Sequence, residues 1–166
     1  MTTFTSSHGL ALTVLVAVGL FPASSFAQSD GSATVRSVLR DYEVIRGALA
    51  RDDGPSVAAP ARRIVETVSA ASGLSDTTRT RLAEASAAAT RLARVRPSDL
   101  AAARREFGAL SRALVTLVQE TPSLGRGLHL FECPMAEGYG RWLQPSPETN
   151  NPYMGTRMLQ CGRRLH

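Results

Sequence analysis

Cysteine and methionine side chains are concentrated near the C-terminal end of this 166-residue chain. Cys133 is followed two positions later by Met135, and Met158 precedes Cys161 by three positions. Side chains two positions apart in an extended segment, or three apart in a helix, lie on the same face. Two thiolates and two thioethers form a soft ligand set that suits Cu(I) or Ag(I), whereas zinc disfavours thioethers. If these four side chains bind a metal, we therefore expect a monovalent soft ion.

The same two cysteines could instead form a disulfide, which would close a loop of 28 residues. A loop of that size stabilises a fold by about 3 kcal/mol in the chain-entropy model. In an exported chain an even pair of cysteines is most often a disulfide. Spacing alone favours this interpretation, with the methionines as apolar filler. The two hypotheses are compatible, because an oxidised pair could be the metal-free form.

The N-terminal sequence indicates in which compartment the protein is found. It is MTTFTSSHGLALTVLVAVGLFPASSFAQSD. A polar start, an apolar run over residues 10–21 and small residues ending at Ala27 are typical of a secretory signal peptide. The apolar run is short for a membrane-spanning helix, which needs about 20 residues. We therefore predict a signal peptide over residues 1–27, a mature chain from Gln28 in the periplasm or outside the cell, and no stable membrane insertion after cleavage.

Composition and motifs exclude several functions. The formal net charge of +5 comes entirely from arginine, and the arginines are spread among carboxylates rather than clustered, which argues against nucleic-acid binding. No arrangement typical of a catalytic triad, a phosphate-binding loop or a paired-acid site is present in the sequence. We therefore do not expect an enzyme.

Four segments between residues 34 and 120 carry apolar side chains at helical spacing. These are Val35, Val38, Tyr42, Ile45 and Leu49 in the first; Val57, Ala61, Ile64, Val68 and Ala71 in the second; Leu82, Ala85, Ala89 and Leu92 in the third; and Leu100, Ala103, Phe107, Leu110, Leu114 and Leu117 in the fourth. Helices of about 15 to 24 residues with short connections predict a mostly α fold, an antiparallel up-down four-helix bundle over residues 28–121.

Local signals predict where these helices begin. Asp53 or Ser56 could cap the second helix, which can start as late as Ala59 because Pro60 is tolerated only in a first turn. Ser75 begins the third, and Asp99 caps the fourth. Residues 122–166 are predicted to be an irregular Cys/Met-rich extension packed on the same domain, with a short strand or hairpin possible around Phe131.

Other side chains in the extension are weaker candidates. His129 could join a copper shell, although a lone histidine in an extended segment is more often a surface residue. Met154 could add a further thioether. Trp142 could cover a metal through a cation–π contact, but a single tryptophan is more often a packing residue.

The stretches CPMAEGYGRWL and NPYMGTRMLQCG resemble the signature of a periplasmic family known as a domain of unknown function (three-three-four-seven). YEVIRGALARDD and RREFGALS resemble its first and fourth helices, so the resemblance covers nearly the whole mature chain. The matching residues of the signature are Cys133, Pro134, Met135, Ala136, Trp142, Leu143, Asn151, Pro152, Tyr153, Gly155, Met158, Leu159, Cys161 and Gly162. Met154 departs from the pattern, which has an aromatic residue there.

Members of this family also occur fused to adaptor subunits of copper and silver efflux pumps. The resemblance therefore implies monovalent metal handling, with Cys133, Met135, Met158 and Cys161 as ligands of Cu(I). It also implies a metal-efflux adaptor or a cuproprotein as partner, and Trp142, Asn151, Pro152, Tyr153 and Gly155 as a structural motif around the site. It favours the metal hypothesis over the disulfide.

Overall fold

A computed structural model describes residues 1–2 and 24–165 of the chain. Most of the predicted signal peptide, residues 3–23, lies outside the described residues, as does His166. The described part of the chain is mostly helical and ends in a small antiparallel sheet. The prediction of a mostly α fold is therefore confirmed.

Four helices precede three strands in the chain. The helices are α1 (Ser24–Ala50), α2 (Ala58–Ser69), α3 (Asp76–Leu92) and α4 (Leu100–Glu120), the strands are β1 (His129–Glu132), β2 (Arg141–Gln144) and β3 (Arg163–Leu165), and short 3-10 segments cover Gly54–Ser56, Pro122–Gly125 and Gly155–Met158. The helices contain 27, 12, 17 and 21 residues, so α2 is shorter and α1 longer than predicted. No described helix is both long enough and apolar enough to cross a membrane.

The predicted apolar stripes form the core of the helical part. Every predicted stripe position of α1 and α3 is buried, and only Val68, Ala71 and Leu100 of the other stripes are partly exposed. Each helix packs against the next one in the chain, and α1 also contacts α4. Burying one face of each helix removes its apolar side chains from water, which is the main stabilising contribution to such a fold.

The helix starts follow side-chain capping, with one correction. Asp99 accepts a hydrogen bond from the Ala102 amide, in agreement with the cap predicted for α4. Ser75, where the third helix was predicted to begin, accepts one from the Thr78 amide and caps α3. Asp53 does not cap α2, because its carboxylate accepts from Ser56 and so begins the 3-10 segment. Val57 precedes α2 without a side-chain cap, and Pro60 lies in its first turn as predicted.

The sheet has the order β2-β1-β3, and both pairings are antiparallel. Phe131 lies opposite Trp142, and their rings stack with centroids 5.3 Å apart. Glu132 lies opposite Arg141 on one side and Arg163 on the other, and it forms ion pairs with both. The sequence predicted at most a short strand or hairpin in this region. The third strand was not predicted.

A buried polar network joins the helices to the sheet. The Tyr42 hydroxyl lies 2.7 Å from the Ser111 hydroxyl and accepts a hydrogen bond from the Leu143 amide. Ser111 and Tyr153 both donate to the carbonyl of Arg141, each over 2.8 Å. These bonds link α1, α4, β2 and the loop before β3, so the C-terminal segment (residues 122–165) packs in a defined position on the helices.

Candidate metal centre

Cys133 and Cys161 are brought together at one end of the sheet. Their Sγ atoms are 3.4 Å apart, and both thiols are free. Cys133 is 2% exposed, whereas Cys161 is partly exposed, so solvent reaches the pair from the Cys161 side. The two thiols are therefore close enough to share a soft ion or to be oxidised to a disulfide.

Strand register explains why the two cysteines meet. Glu132 is the last residue of β1, and it pairs with Arg163, the first residue of β3. One step further along the antiparallel ladder, Cys133 comes opposite Gly162, and Cys161 is the next residue. The pairing of β1 with β3 thus closes the 28-residue separation between the thiols.

Gly162 allows the chain to pass close to the sheet just after Cys161. Its φ is +135°, and a Cβ at this position would lie 2.9 Å from Cη2 of Trp142 and 3.0 Å from the carbonyl oxygen of Glu132. A larger residue would have to displace either the buried indole or strand backbone. The glycine therefore fixes the path that places Cys161 beside Cys133.

Asn151 holds the loop that contains Cys161, and it is fully buried. Its Nδ2 donates to the Cys161 carbonyl over 2.5 Å, and its Oδ1 accepts from the amides of Tyr153 and Met154. Its own amide donates to the Leu159 carbonyl over 2.7 Å. One side chain thus satisfies three backbone groups and connects both ends of the loop, which gives the predicted structural motif a physical basis.

Arg104 of α4 joins this loop to the helices. Its guanidinium donates to the carbonyls of Pro152 and Leu49 and forms an ion pair with Asp52. The Asp52 carboxylate in turn accepts from the amide and hydroxyl of Thr156. We call Asp52, Arg104 and Thr156 the loop clasp.

The charge state of Asp52 follows from these bonds. Burial raises the pKa of Asp52, but the hydrogen bonds from Thr156 and Arg104 outweigh it and hold the pKa below its ordinary value. Arg46, which is buried, makes a second connection: it pairs with Glu43 and donates to the Asn150 carbonyl over 2.6 Å. The loop is therefore tied to both α1 and α4.

The methionines are less closely associated with the thiols than predicted. Met135 is 57% exposed and Met158 is 39% exposed. Met154 is partly buried, and it lines a cavity of about 190 Å³ together with Met135. The structure thus joins Met135 to Met154 in one cavity, whereas Cys133 and Cys161 do not line it.

The charges around this cavity are unfavourable for a cation. Arg104, Arg105 and Arg157 line it, and Glu137 is the one carboxylate in its lining. Asp52 neutralises Arg104, which leaves two arginines against one glutamate. This excess of positive charge disfavours a cation between Met135 and Met154.

The remaining candidates lie away from the thiols or in the core. His129 begins β1 and is paired with Gln144, so four residues of strand, roughly 13 Å at 3.3 Å per residue, separate it from Cys133. Trp142 is fully buried and stacked on Phe131, and its Nε1 donates to Gln144. These contacts give Trp142 a packing role.

The thiol pair has the chemical character that a soft ion requires. The hydrogen bond with Cys133, and to a smaller extent desolvation, raises the pKa of Cys161, so a bound metal must displace protons from the pair. Within residues 1–2 and 24–165, no three histidine, cysteine or acidic side chains come together as a metal site. The ligands available are therefore two thiols, which suit Cu(I) or Ag(I) and do not complete a four-coordinate zinc site.

Sequence reasoning missed the polar residues that position the loop. Arg46 lies on α1, Asp52 in the turn after it and Arg104 on α4, all far from the cysteines in the chain, and the partners of the two arginines are mostly backbone carbonyls. Ser111 is a polar residue beside the apolar stripe of α4, and this position could have indicated a buried polar contact. No family model, curated protein or solved structure matches this chain, so the resemblance drawn from its Cys-Pro-Met and Asn-Pro-Tyr motifs stays a prediction.

Proposed function

We propose that this chain is an exported protein that binds Cu(I), or Ag(I), through Cys133 and Cys161 and buffers or delivers the ion in the periplasm. The observation that supports the proposal is the 3.4 Å separation of two free thiols that come from different segments of the chain. Thiolates are the protein ligands that best suit these soft ions.

The exposure of the site suits transfer rather than permanent storage. Cys161 and the two exposed methionines, Met135 and Met158, lie on the solvent side, while Cys133 is buried. An incoming protein could therefore replace one ligand at a time without releasing a naked ion. The family resemblance suggests a metal-efflux adaptor or another copper protein as the recipient, and the chain itself acts as a carrier and not as an enzyme.

The fold proposed for this carrier is a bundle with an antiparallel up-down order of helices, followed by the C-terminal segment on the same domain. Contacts between consecutive helices and between α1 and α4 support this order, as do the short connections. The loop clasp and the Tyr42 network support a single folding unit.

Titration of the reduced protein with Cu(I) tests the metal proposal. We expect one ion per chain by native mass spectrometry, and competition with a chromogenic Cu(I) chelator gives the affinity. The Cys133→Ser/Cys161→Ser double variant should lose this binding, because serine hydroxyls are hard ligands. Stoichiometric binding that survives the double change contradicts the proposal.

The matched control is a Met135→Leu/Met158→Leu double variant, which keeps side-chain size and removes both thioethers. We expect it to retain one Cu(I) per chain with a weaker affinity, because these exposed side chains assist the thiols. Loss of all binding in this variant would instead make the thioethers primary ligands. Thermal unfolding of each variant shows whether the fold is preserved.

The second candidate is an interaction module of the cell envelope that is stapled by a Cys133–Cys161 disulfide. The same short separation favours it, since oxidation requires only that the two sulfurs move together. Mass spectrometry of the protein as isolated, with and without reductant, separates the candidates. A disulfide that persists when Cu(I) is offered with a mild reductant favours the module.

A further inference from the structure

A groove with a volume of about 740 Å³ runs between α3 and α4 and is also lined by the loop that follows Cys133. Its lining extends from Arg81 to Arg91 on α3 and from Arg105 to Thr116 on α4. At a rise of 1.5 Å per residue, both helices contribute about 15 Å of length. The groove therefore matches about three turns of a helix.

Small residues line the groove, namely Ala87, Ala88, Ala109 and Ala113, whereas Gly108 is covered by the backbone of Tyr139. Side chains of this size leave room for another backbone to approach α3 and α4 closely. The floor offers no free backbone hydrogen-bonding groups, because α3 and α4 are regular helices. An occupant must therefore satisfy its own backbone, which favours a helix over an extended peptide.

Four arginines lie on the rim of the groove, and two of them are paired with glutamates. Arg81 is paired with Glu84 and Glu120, and Arg91 is paired with Glu106. Arg105 and Arg112 are exposed, and within the described part of the chain neither has an ion pair with a carboxylate.

Arg112 is also partly held in place, since its guanidinium carbon lies 5.0 Å from the centre of the Tyr139 ring. Arg105 and Arg112 are seven residues apart on α4, which places them on one face about 10.5 Å apart. Glu137 is the one rim carboxylate that lacks an arginine partner among the described ion pairs, and with the paired glutamates counted the charges around the groove balance. The positive charge is therefore local to Arg105 and Arg112.

We propose that this groove is a docking site for an amphipathic helix of a partner protein, with small residues toward the floor and acidic residues at positions i and i+7 toward Arg105 and Arg112. The helical repeat of the partner then matches the spacing of the two guanidinium groups. A second copy of this chain does not fit this requirement, because none of its described helices carries two acidic residues seven positions apart.

A helix docked in the groove would contact the loop that follows Cys133, and a short turn connects this loop to the thiol site. Glu137, Gly138 and Tyr139 line the groove, and the turn between them and Cys133 is closed by a hydrogen bond from Ala136 to the Cys133 carbonyl. The binding site itself rests on the groove and its charges, so it stands whether or not the thiols bind a metal.

Two synthetic helical peptides test the proposal with the whole mature protein. Both have an alanine face, and one carries Glu at positions i and i+7 where the other carries Gln. We expect fluorescence anisotropy at low ionic strength to show binding of the Glu peptide about 10-fold tighter than the Gln peptide, and weaker binding as salt is added. Equal binding of the two peptides, or no binding of either, overturns the proposal.

Matched variants locate the interaction on the protein. The Arg105→Gln/Arg112→Gln double variant should lose about 10-fold in affinity for the Glu peptide, whereas Arg36→Gln/Arg40→Gln, with the same net charge, should keep it. Ala109→Leu should also weaken binding, because it fills the floor without a change in charge. Equal losses in both arginine variants, or no loss with Ala109→Leu, overturn the groove as the site.

Vesicles with anionic phospholipid distinguish a membrane surface from a protein partner. We expect the Arg105→Gln/Arg112→Gln variant to bind such vesicles no differently from the Arg36→Gln/Arg40→Gln variant. Vesicle binding that depends on Arg105 and Arg112, without binding of the Glu peptide, makes the groove a lipid site and overturns the proposal.

Discussion

Asn151 positions Cys161 through hydrogen bonds that no other side chain of the loop duplicates. The Asn151→Ala variant removes a donor to the Cys161 carbonyl and an acceptor for two amides in a fully buried position. Because buried backbone groups are then left without partners, we expect the free energy of unfolding to fall by about 2–3 kcal/mol. Urea unfolding measures this loss.

Asn150 gives the control for this change. The Oδ1 of Asn150 is buried and has no hydrogen-bond partner, so Asn150→Ala should cost clearly less than Asn151→Ala. The Asn150 backbone carbonyl still accepts from Arg46 in this variant. Equal losses in the two variants would contradict the role given to Asn151.

The two thiols differ in access although they lie side by side. Cys133 is buried against the sheet, and Cys161 is partly exposed. Hydrogen bonding with Cys133 raises the pKa of Cys161, which makes its thiol a weak nucleophile at neutral pH. Under the proposed function, Cys161 is the thiol that an incoming ion can reach from solvent.

At the scale of elements, the loop clasp connects the C-terminal segment to α1 and α4 through one carboxylate. The pKa of Asp52 is lower in the folded chain than its ordinary value of about 3.9. The unfolded chain therefore takes up the proton first as the pH falls. The stability from Asp52 is present above the unfolded pKa and is lost as the pH falls through the folded pKa, below about 4.

We expect Asp52→Asn to lower the free energy of unfolding by about 1 kcal/mol at pH 7, because the carboxylate is about one-third exposed and its bonds are partly screened. The same variant should lose less stability between pH 4 and pH 2 than the natural chain. Thermal melts across this range measure both effects.

Glu120 provides the comparison for the acid range. Its pKa is also lowered, chiefly by hydrogen bonds from Arg81, but this pair is on the surface. Glu120→Gln should therefore change the acid dependence less than Asp52→Asn. An acid profile of Asp52→Asn that is identical to that of the natural chain would show that the clasp does not titrate as described.

Gly155 lies directly against the loop clasp. Its φ is +59°, and a Cβ there would clash with the Asp52 carboxylate and the Arg104 guanidinium. Gly155→Ala should therefore cost more than the about 1 kcal/mol that a left-handed alanine costs alone. Gly127→Ala is the matched control, since Gly127 has a φ of +80° and no atom within 4 Å of an added Cβ. Denaturant unfolding compares the two, and equal costs would remove the steric argument.

The sequence predicted the helices better than the sheet for a physical reason. Apolar residues such as Ile45, Leu82 and Leu114 repeat within one helix, so their pattern is local and complete in the sequence. The pairing of β1 with β3 depends on residues more than 30 positions apart, and three or four residues per strand carry little periodicity. The start of α3 near Ser75 and the cap of α4 at Asp99 are local features and were predicted, whereas the loop clasp was not.

The same distinction holds for the candidate site. The proximity of Cys133 and Cys161 followed from the paired motifs, and the structure brings the two thiols together. The positions of Met135 and Met158 did not follow, because exposure depends on how the loops lie on the helices. Their membership of the site stays a prediction.

At the scale of the whole molecule, the helices and the sheet hold the thiols in place before any bond or ion joins them. Arg46 and Arg104 donate hydrogen bonds to the C-terminal segment from two helices, and Tyr42 accepts one from it. The thiol pair is therefore supported by contacts with two helices as well as by the pairing of β1 with β3.

Oxidation of the thiol pair should stabilise this preformed arrangement. A Cys133–Cys161 disulfide constrains the unfolded chain, and we expect the oxidised protein to exceed the reduced protein by up to about 3 kcal/mol in free energy of unfolding. Because a helical domain of this size unfolds as one unit, this corresponds to a rise in Tm of several degrees, roughly 5–10 °C. Calorimetry with and without reductant measures it, and the Cys133→Ser/Cys161→Ser variant should give one Tm under both conditions. An oxidised form that melts at or below the reduced form would show that the disulfide strains the β1–β3 junction, and that the two thiols are arranged for an ion rather than for each other.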